Sequence, residues 1–147
     1  MNKARKTGLL IAFTCFVLLG SYVLVYALFH GSIDNGRFEV QKVERSSSSH
    51  VAMIARRSDD QALGGLQYFV VLGDHVFSSG DLRHAYYHDG LAFRAGSDCL
   101  ALRWESGETL EISCAAQIIS PDSIAVQKHR MGNLTIFYSG IPAIATR

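Results

Sequence analysis

Residues Gly8 to Phe29, GLLIAFTCFVLLGSYVLVYALF, form an unbroken run without a charged side chain. Wound into a helix at 1.5 Å per residue, such a run is about 33 Å long, enough to cross a bilayer core of roughly 30 Å. Lys3, Arg5 and Lys6 precede it with no acid among them, whereas residues 30–45 mix Arg37, Lys42 and Arg45 with Asp34, Glu39 and Glu44. The positive-inside rule then predicts a cytoplasmic N-terminus and a C-terminal portion outside, which in a bacterium is the periplasm. A cleaved signal peptide has a shorter apolar core and small residues at its cleavage site. Here the run ends in Ala27-Leu28-Phe29-His30, and Cys15 follows Ala12-Phe13-Thr14, which does not read as a lipoprotein cleavage site. The expectation is an uncleaved signal anchor in the inner membrane, with the lipid bilayer as its partner. It carries no ionisable group to mark an ion path, and Gly8 and Gly20 are too far apart for a GxxxG pair.

That run accounts for the chain's hydrophobic excess, 48% hydrophobic against 18% charged. A freely soluble cytosolic enzyme, a disordered chain and a multi-span transporter are excluded on this pattern. The predicted division is a basic tail (1–7), a transmembrane helix (8–29), a linker with a possible first strand (30–49) and a β domain (50–147). The linker ends in four serines, and Phe38 to Val43 alternates enough to be that strand. Beyond it, short β-type runs recur at 51–56, 66–72, 91–95, 99–105, 109–114, 124–128 and 134–138, bounded by turn residues. Asp81 to His88 is the one candidate helix. The fold class predicted is all-β: a small antiparallel sheet or sandwich of about seven strands behind a single N-terminal transmembrane helix.

Two hairpins follow from the pattern. One joins Ile124–His129 to Leu134–Tyr138 through Arg130-Met131-Gly132-Asn133. The other joins CLALRWE to TLEISC, with two registers open. A turn at Ser106-Gly107 sets Cys99 opposite Cys114 but leaves Leu102 facing Glu111. Slipping one residue sets Leu100, Leu102 and Trp104 opposite Cys114, Ile112 and Leu110, and Arg103 opposite Glu111; the side-chain pattern favours this register. An oxidising compartment makes a Cys99–Cys114 disulfide the natural inference. The favoured register, however, points the two thiols to opposite faces unless a bulge intervenes.

Chemistry-bearing constellations are sparse. Six histidines all follow the apolar run, and His84 and His88 share a face if Asp81–His88 is helical, a spacing that can chelate a metal. The HExxH glutamate is missing, and polar surface histidines are the reading preferred, with no metal site and no cofactor assigned. No G-x-S-x-G, S-x-x-K, C-x-x-C or phosphate loop occurs, so no catalytic residue is assigned and no enzyme is expected. Glu105, Glu108 and Glu111 read as a solvated hairpin tip. Eleven basic against thirteen acidic residues beyond the run give no basic stripe for nucleic acid.

The segments AMIARRSDD, GLQYFVVLG, CLALRWESGETLEISC and LTIFYSGIP resemble small membrane-anchored bacterial envelope proteins of unknown function with a β-rich periplasmic domain. Some of these are similar to immunity proteins encoded beside type VI secretion effectors. The resemblance implies binding of another protein, such as a secreted toxin or effector, and transfers no functional residue. Arg83, His84, Tyr86, Tyr87 and His88 are the candidate contacts, because Arg and aromatic side chains dominate interface energetics. A structural or accessory subunit of an envelope complex is the alternative, and a metal- or ligand-sensing domain a third.

Overall fold

The computed structural model describes residues 14–26, 36–59, 65–115 and 119–144. It divides into two compact units, residues 1–35 and 36–147. In the first, residues 14–26 are helical and expose their apolar side chains, Phe16 and Tyr22 most fully. The rest of the predicted span, 8–13 and 27–29, lies outside the described residues. Among the described residues no helix is long and apolar enough to cross a membrane.

Among its described residues the second unit holds nine strands, β1 (Arg37–Arg45), β2 (Val51–Ser58), β3 (Gln67–Gly73), β4 (Leu91–Ala95), β5 (Leu100–Trp104), β6 (Thr109–Cys114), β7 (Ile124–Gln127), β8 (Arg130–Met131) and β9 (Leu134–Ser139). One helix, Ser79–Tyr87, interrupts them between β3 and β4. The strands form a five-stranded sheet in the order β1-β2-β3-β4-β7 and a four-stranded sheet in the order β5-β6-β9-β8. The chain is therefore β-rich, as its run pattern predicts, and its two sheets pack face to face.

The five-stranded sheet is covered on both faces. Ala52, Ile54, Val70, Leu72 and Ala92 point into a shared core with Leu102, Leu110, Ile112 and Ile136 of the four-stranded sheet. Their neighbours Val51, Met53, Ala55, Phe69 and Val71 point the other way and pack under Leu82, Ala85 and Tyr86 of the helix. Alternating side chains of a strand face opposite ways, so a strand wanted on both faces must be apolar throughout. VAMIA in β2 meets that demand with all five residues buried. The four-stranded sheet is covered on one face only, and its strand β6 accordingly alternates half-buried and buried residues from Thr109 to Cys114.

Several expectations change. The four serines do not extend as a tether: Arg45 pairs with Val51, and the serines close the β1–β2 hairpin. The Ser46 hydroxyl accepts from the Ser48 and His50 backbone N–H groups at 3.2 and 3.0 Å, and Ser49 takes φ 65°. The predicted 124–138 hairpin is also corrected. Ile124–Gln127 pairs with β4 in the other sheet, because Ile124 and Val126 reach the two separate apolar clusters that only the doubly covered sheet provides. The true hairpin is β8–β9, with Met131 opposite Leu134 across Gly132-Asn133 and Gly132 alone taking a positive φ, 61°. Sheet pairing is not purely antiparallel: β6 and β9 run parallel. The chain between them crosses to the other sheet for β7 and returns, a connection long enough to bring it back in the same direction.

In the β5–β6 hairpin the observed register sets Leu100, Leu102 and Trp104 opposite Cys114, Ile112 and Leu110, and Arg103 opposite Glu111. Cys99 and Cys114 are nonetheless joined by a disulfide, with Cα atoms 5.1 Å apart. The expectation that this register forbids the bridge is corrected. Cys99 precedes the first residue of β5, so strand alternation does not dictate where its thiol points.

Candidate functional site

The helix begins where the sequence caps it. Ser78 is the N-cap and Asp81 the N3 residue of a reciprocal capping box, in which the Asp81 carboxylate accepts from the Ser78 N–H at 2.9 Å and hydroxyl at 2.7 Å. The hydroxyl contact, joined by the backbone one, holds the Asp81 carboxyl below its ordinary value. At the other end Asp89 takes φ 61°, and the Gly90 N–H returns to the Ala85 carbonyl at 2.9 Å, closing a Schellman motif. Lys128 reaches across to the Asp89 carboxylate at 2.9 Å and its carbonyl at 2.8 Å.

Both ends being fixed, the helix presents one defined face. Leu82, Ala85 and Tyr86 are buried, which leaves His84, Tyr87 and His88 exposed and Arg83 half-buried. Tyr86 is the correction among the candidate contacts. At 9% exposure it is core, its ring 5.2 Å from Phe69 and 5.6 Å from Phe38, its hydroxyl donating to Gln67 Oε1 at 3.0 Å. A helix of period 3.6 carrying Leu82 inward must also carry residue 86 inward. Tyr87, at 41% exposure, stays on the surface, edge-on to Tyr86 and Phe38.

Arginines converge on these rings. The Arg57 guanidinium lies 5.0 Å from the Tyr86 ring and 5.7 Å from that of Tyr87, Arg94 lies 5.1 Å from Tyr86, and Arg83 lies 5.6 Å from Phe38. Such cation–π contacts are worth about 0.5–2 kcal/mol according to how far they are desolvated. Arg83 also donates to the Gly36 carbonyl at 3.3 Å, and Arg57 pairs with Asp59 at 2.8 Å. Burial alone would lower the Arg57 guanidinium, but the Tyr86 hydroxyl, Tyr87 and Asp59 together push it up.

Arg57, Arg94 and Phe38 pack against Tyr86, neighbours that the run pattern does not bring to the helix. The run predicted in sequence ends at Arg56, yet β2 continues to Ser58 and carries both arginines, which point apart. Arg56 pairs with Glu39 of β1, and Arg57 turns under the helix. Extending the β2 alternation two residues past Ala55 is the signal that would have found Arg57.

On the opposite flank of the helix an open groove of about 350 Å³ is lined by Leu72, His75, Phe77, Asp81, His84, Ala85, His88, Gly90 and Met131. The His84 and His88 rings lie 4.4 Å apart, as the i, i+4 spacing predicts. His75 stacks on Phe77 at 5.0 Å, and its Nδ1 is 2.7 Å from the Asp74 carboxylate, a contact that lowers the Asp74 carboxyl. Among the described residues no three His, Cys, Asp or Glu side chains converge as a metal centre. The three glutamates of the β5–β6 tip form no carboxylate pair. Arg103 binds Glu105 at 2.6 Å and Glu111 at 2.9 Å, and Glu108 accepts from Asn133 at 3.1 Å.

No family model, curated protein or solved structure matches the chain.

Proposed function

We propose that this chain is a membrane-anchored protein-binding domain facing away from the cytoplasm, most concretely an immunity protein that blocks an antibacterial toxin. The observation that carries this reading is the exposed face of the Ser79–Tyr87 helix. His84, Tyr87 and His88 stand outward, with the half-buried Arg83 beside them, on an element capped at both ends and pinned by Tyr86. Arg and Tyr supply most of the binding energy of protein interfaces. Side chains held in place before contact lose less entropy on binding. The exported location rests on the charge-free run Gly8–Phe29, whose helical residues 14–26 expose apolar side chains that lipid would cover. The Cys99–Cys114 disulfide fits an oxidising compartment. An anchor would also hold the domain at high local concentration where a lipase or cell-wall toxin acts.

The test is paired. Cells deleted for this gene should become sensitive to the effector encoded beside it, and the full-length protein in detergent should bind that effector directly. Arg83→Ala and Tyr87→Ala should each weaken binding by about tenfold or more, since truncating a central interface anchor costs at least about 1–2 kcal/mol. No sensitivity in the deletion together with no binding by the purified chain would sink the proposal.

A further inference from the structure

We propose that the groove flanking the Ser79–Tyr87 helix binds a transition-metal ion, copper above all, through a His84–His88 chelate with Met131 as a third donor. This goes beyond the protein-binding reading and does not depend on it. The two imidazoles sit one turn apart at the C-terminal end of a helix fixed by its capping box and Schellman motif, with ring centroids 4.4 Å apart and planes inclined by 32°. Both rings are exposed, so an ion reaches them without opening the fold, and their i, i+4 spacing is that of a bidentate chelate.

Met131 of β8 and His75 line the same groove. Nδ1 of His75 is 2.7 Å from the Asp74 carboxylate, the kind of carboxylate contact that orients metal-binding histidines. Asp81, the carboxylate lining this groove, is engaged by Ser78 in the capping box. The cysteines of the β domain are tied to each other. What remains is imidazole and thioether. Imidazole serves zinc, nickel and copper alike, whereas a thioether adds affinity chiefly for Cu(I). The donor set therefore favours copper over the hard cations and over zinc.

The experiment uses the full chain in detergent with Cys15→Ser in every sample, so that the free thiol does not compete for the metal. Cu(I), kept reduced by ascorbate, is titrated against a chromophoric competitor, and Zn(II) is titrated in parallel. One equivalent of Cu(I) should bind, and His84→Asn or His88→Asn should weaken it by about tenfold or more. Met131→Leu should weaken Cu(I) similarly while changing Zn(II) less than about twofold. Thermal unfolding of each variant, matched to the parent, establishes that the fold is intact. Unchanged Cu(I) binding in the His84→Asn/His88→Asn double variant overturns the site. Equal losses for both metals on Met131→Leu overturn the assignment of copper.

Discussion

At the scale of single residues, burial sets the behaviour of the Tyr138 hydroxyl and hydrogen bonding that of the Asp81 carboxyl. Tyr138 projects from β9, and its hydroxyl donates to the Lys128 carbonyl at 2.6 Å, with the Ala92 carbonyl 3.3 Å away. It links one sheet to the other. Burial raises its phenol well above the ordinary tyrosine value, opposed by the bond to Lys128. Tyr138→Phe should therefore lower stability by about 1 kcal/mol in urea unfolding, the net worth of a neutral hydrogen bond whose acceptor is left wanting. A raised folded value gives stability that is whole below the unfolded value and lost as pH rises above it. Wild type should accordingly lose stability more steeply than Tyr138→Phe above about pH 10. Asp81 works in the opposite sense. Its folded value is depressed by Ser78, so its contribution is present above the unfolded value and disappears as pH falls through the folded one. Below about pH 4 the melting temperature of wild type should fall faster than that of Asp81→Asn. Equal slopes would mean the capping box carries no pH dependence. The helix is legible in the sequence as Asp81–His88, one to two residues off its observed bounds Ser79–Tyr87. The tie from Tyr138 is not, because its acceptors lie 46 and 10 residues away in sequence.

Elements are legible in the sequence wherever side-chain alternation specifies a face, and not where it leaves the face open. Arg103 opposite Glu111 fixed the β5–β6 register correctly, since a one-residue slip would have buried Glu111 against Leu102. The bridge at the base of that hairpin escaped the same logic because Cys99 is outside the strand. Closing 15 residues of chain, it should contribute about 3 kcal/mol, mainly by restricting the unfolded state. The Cys99→Ser/Cys114→Ala variant should unfold at correspondingly lower urea with its far-ultraviolet spectrum retained. A loss under about 1 kcal/mol would show that the bridge is incidental to stability. For the helix, Ser78→Ala should cost about 1 kcal/mol through the lost cap. Tyr86→Ala should cost about 3–5 kcal/mol, as for other large aromatic truncations in a core. That contrast, read by denaturant unfolding, checks the reassignment of Tyr86 from contact to core; near-equal effects would contradict it. The edge strand β1 is also self-explanatory once seen. Charged residues Arg37, Glu39, Lys42, Glu44 and Arg45 and an irregularity between Val40 and Lys42 guard its free edge against pairing with other chains.

Across the molecule, stability is concentrated where both faces of one sheet are covered. Phe93 is fully buried between the sheets and packs against Tyr138 at 5.6 Å. Phe93→Ala should cost about 3–5 kcal/mol in the same unfolding measurement while leaving the exposed helix face, and hence the partner binding proposed for it, unchanged. Lost binding without lost stability would place Phe93 in a role this architecture does not give it. The sequence by itself determined the charge-free run and the asymmetry of charge around it, the β-rich character, the hairpin register at Arg103–Glu111 and the position of the helix. Each depends on neighbours near in the chain or on side-chain period, and both are written locally. Only the tertiary structure decided that β7 joins the other sheet, that β6 and β9 run parallel, that Tyr86 and Arg57 meet beneath the helix, and that Met131 and His75 share a groove with His84 and His88. Those facts follow from which apolar faces find cover in three dimensions. Residues far apart in sequence compete for that cover, and period alone does not say which of them wins.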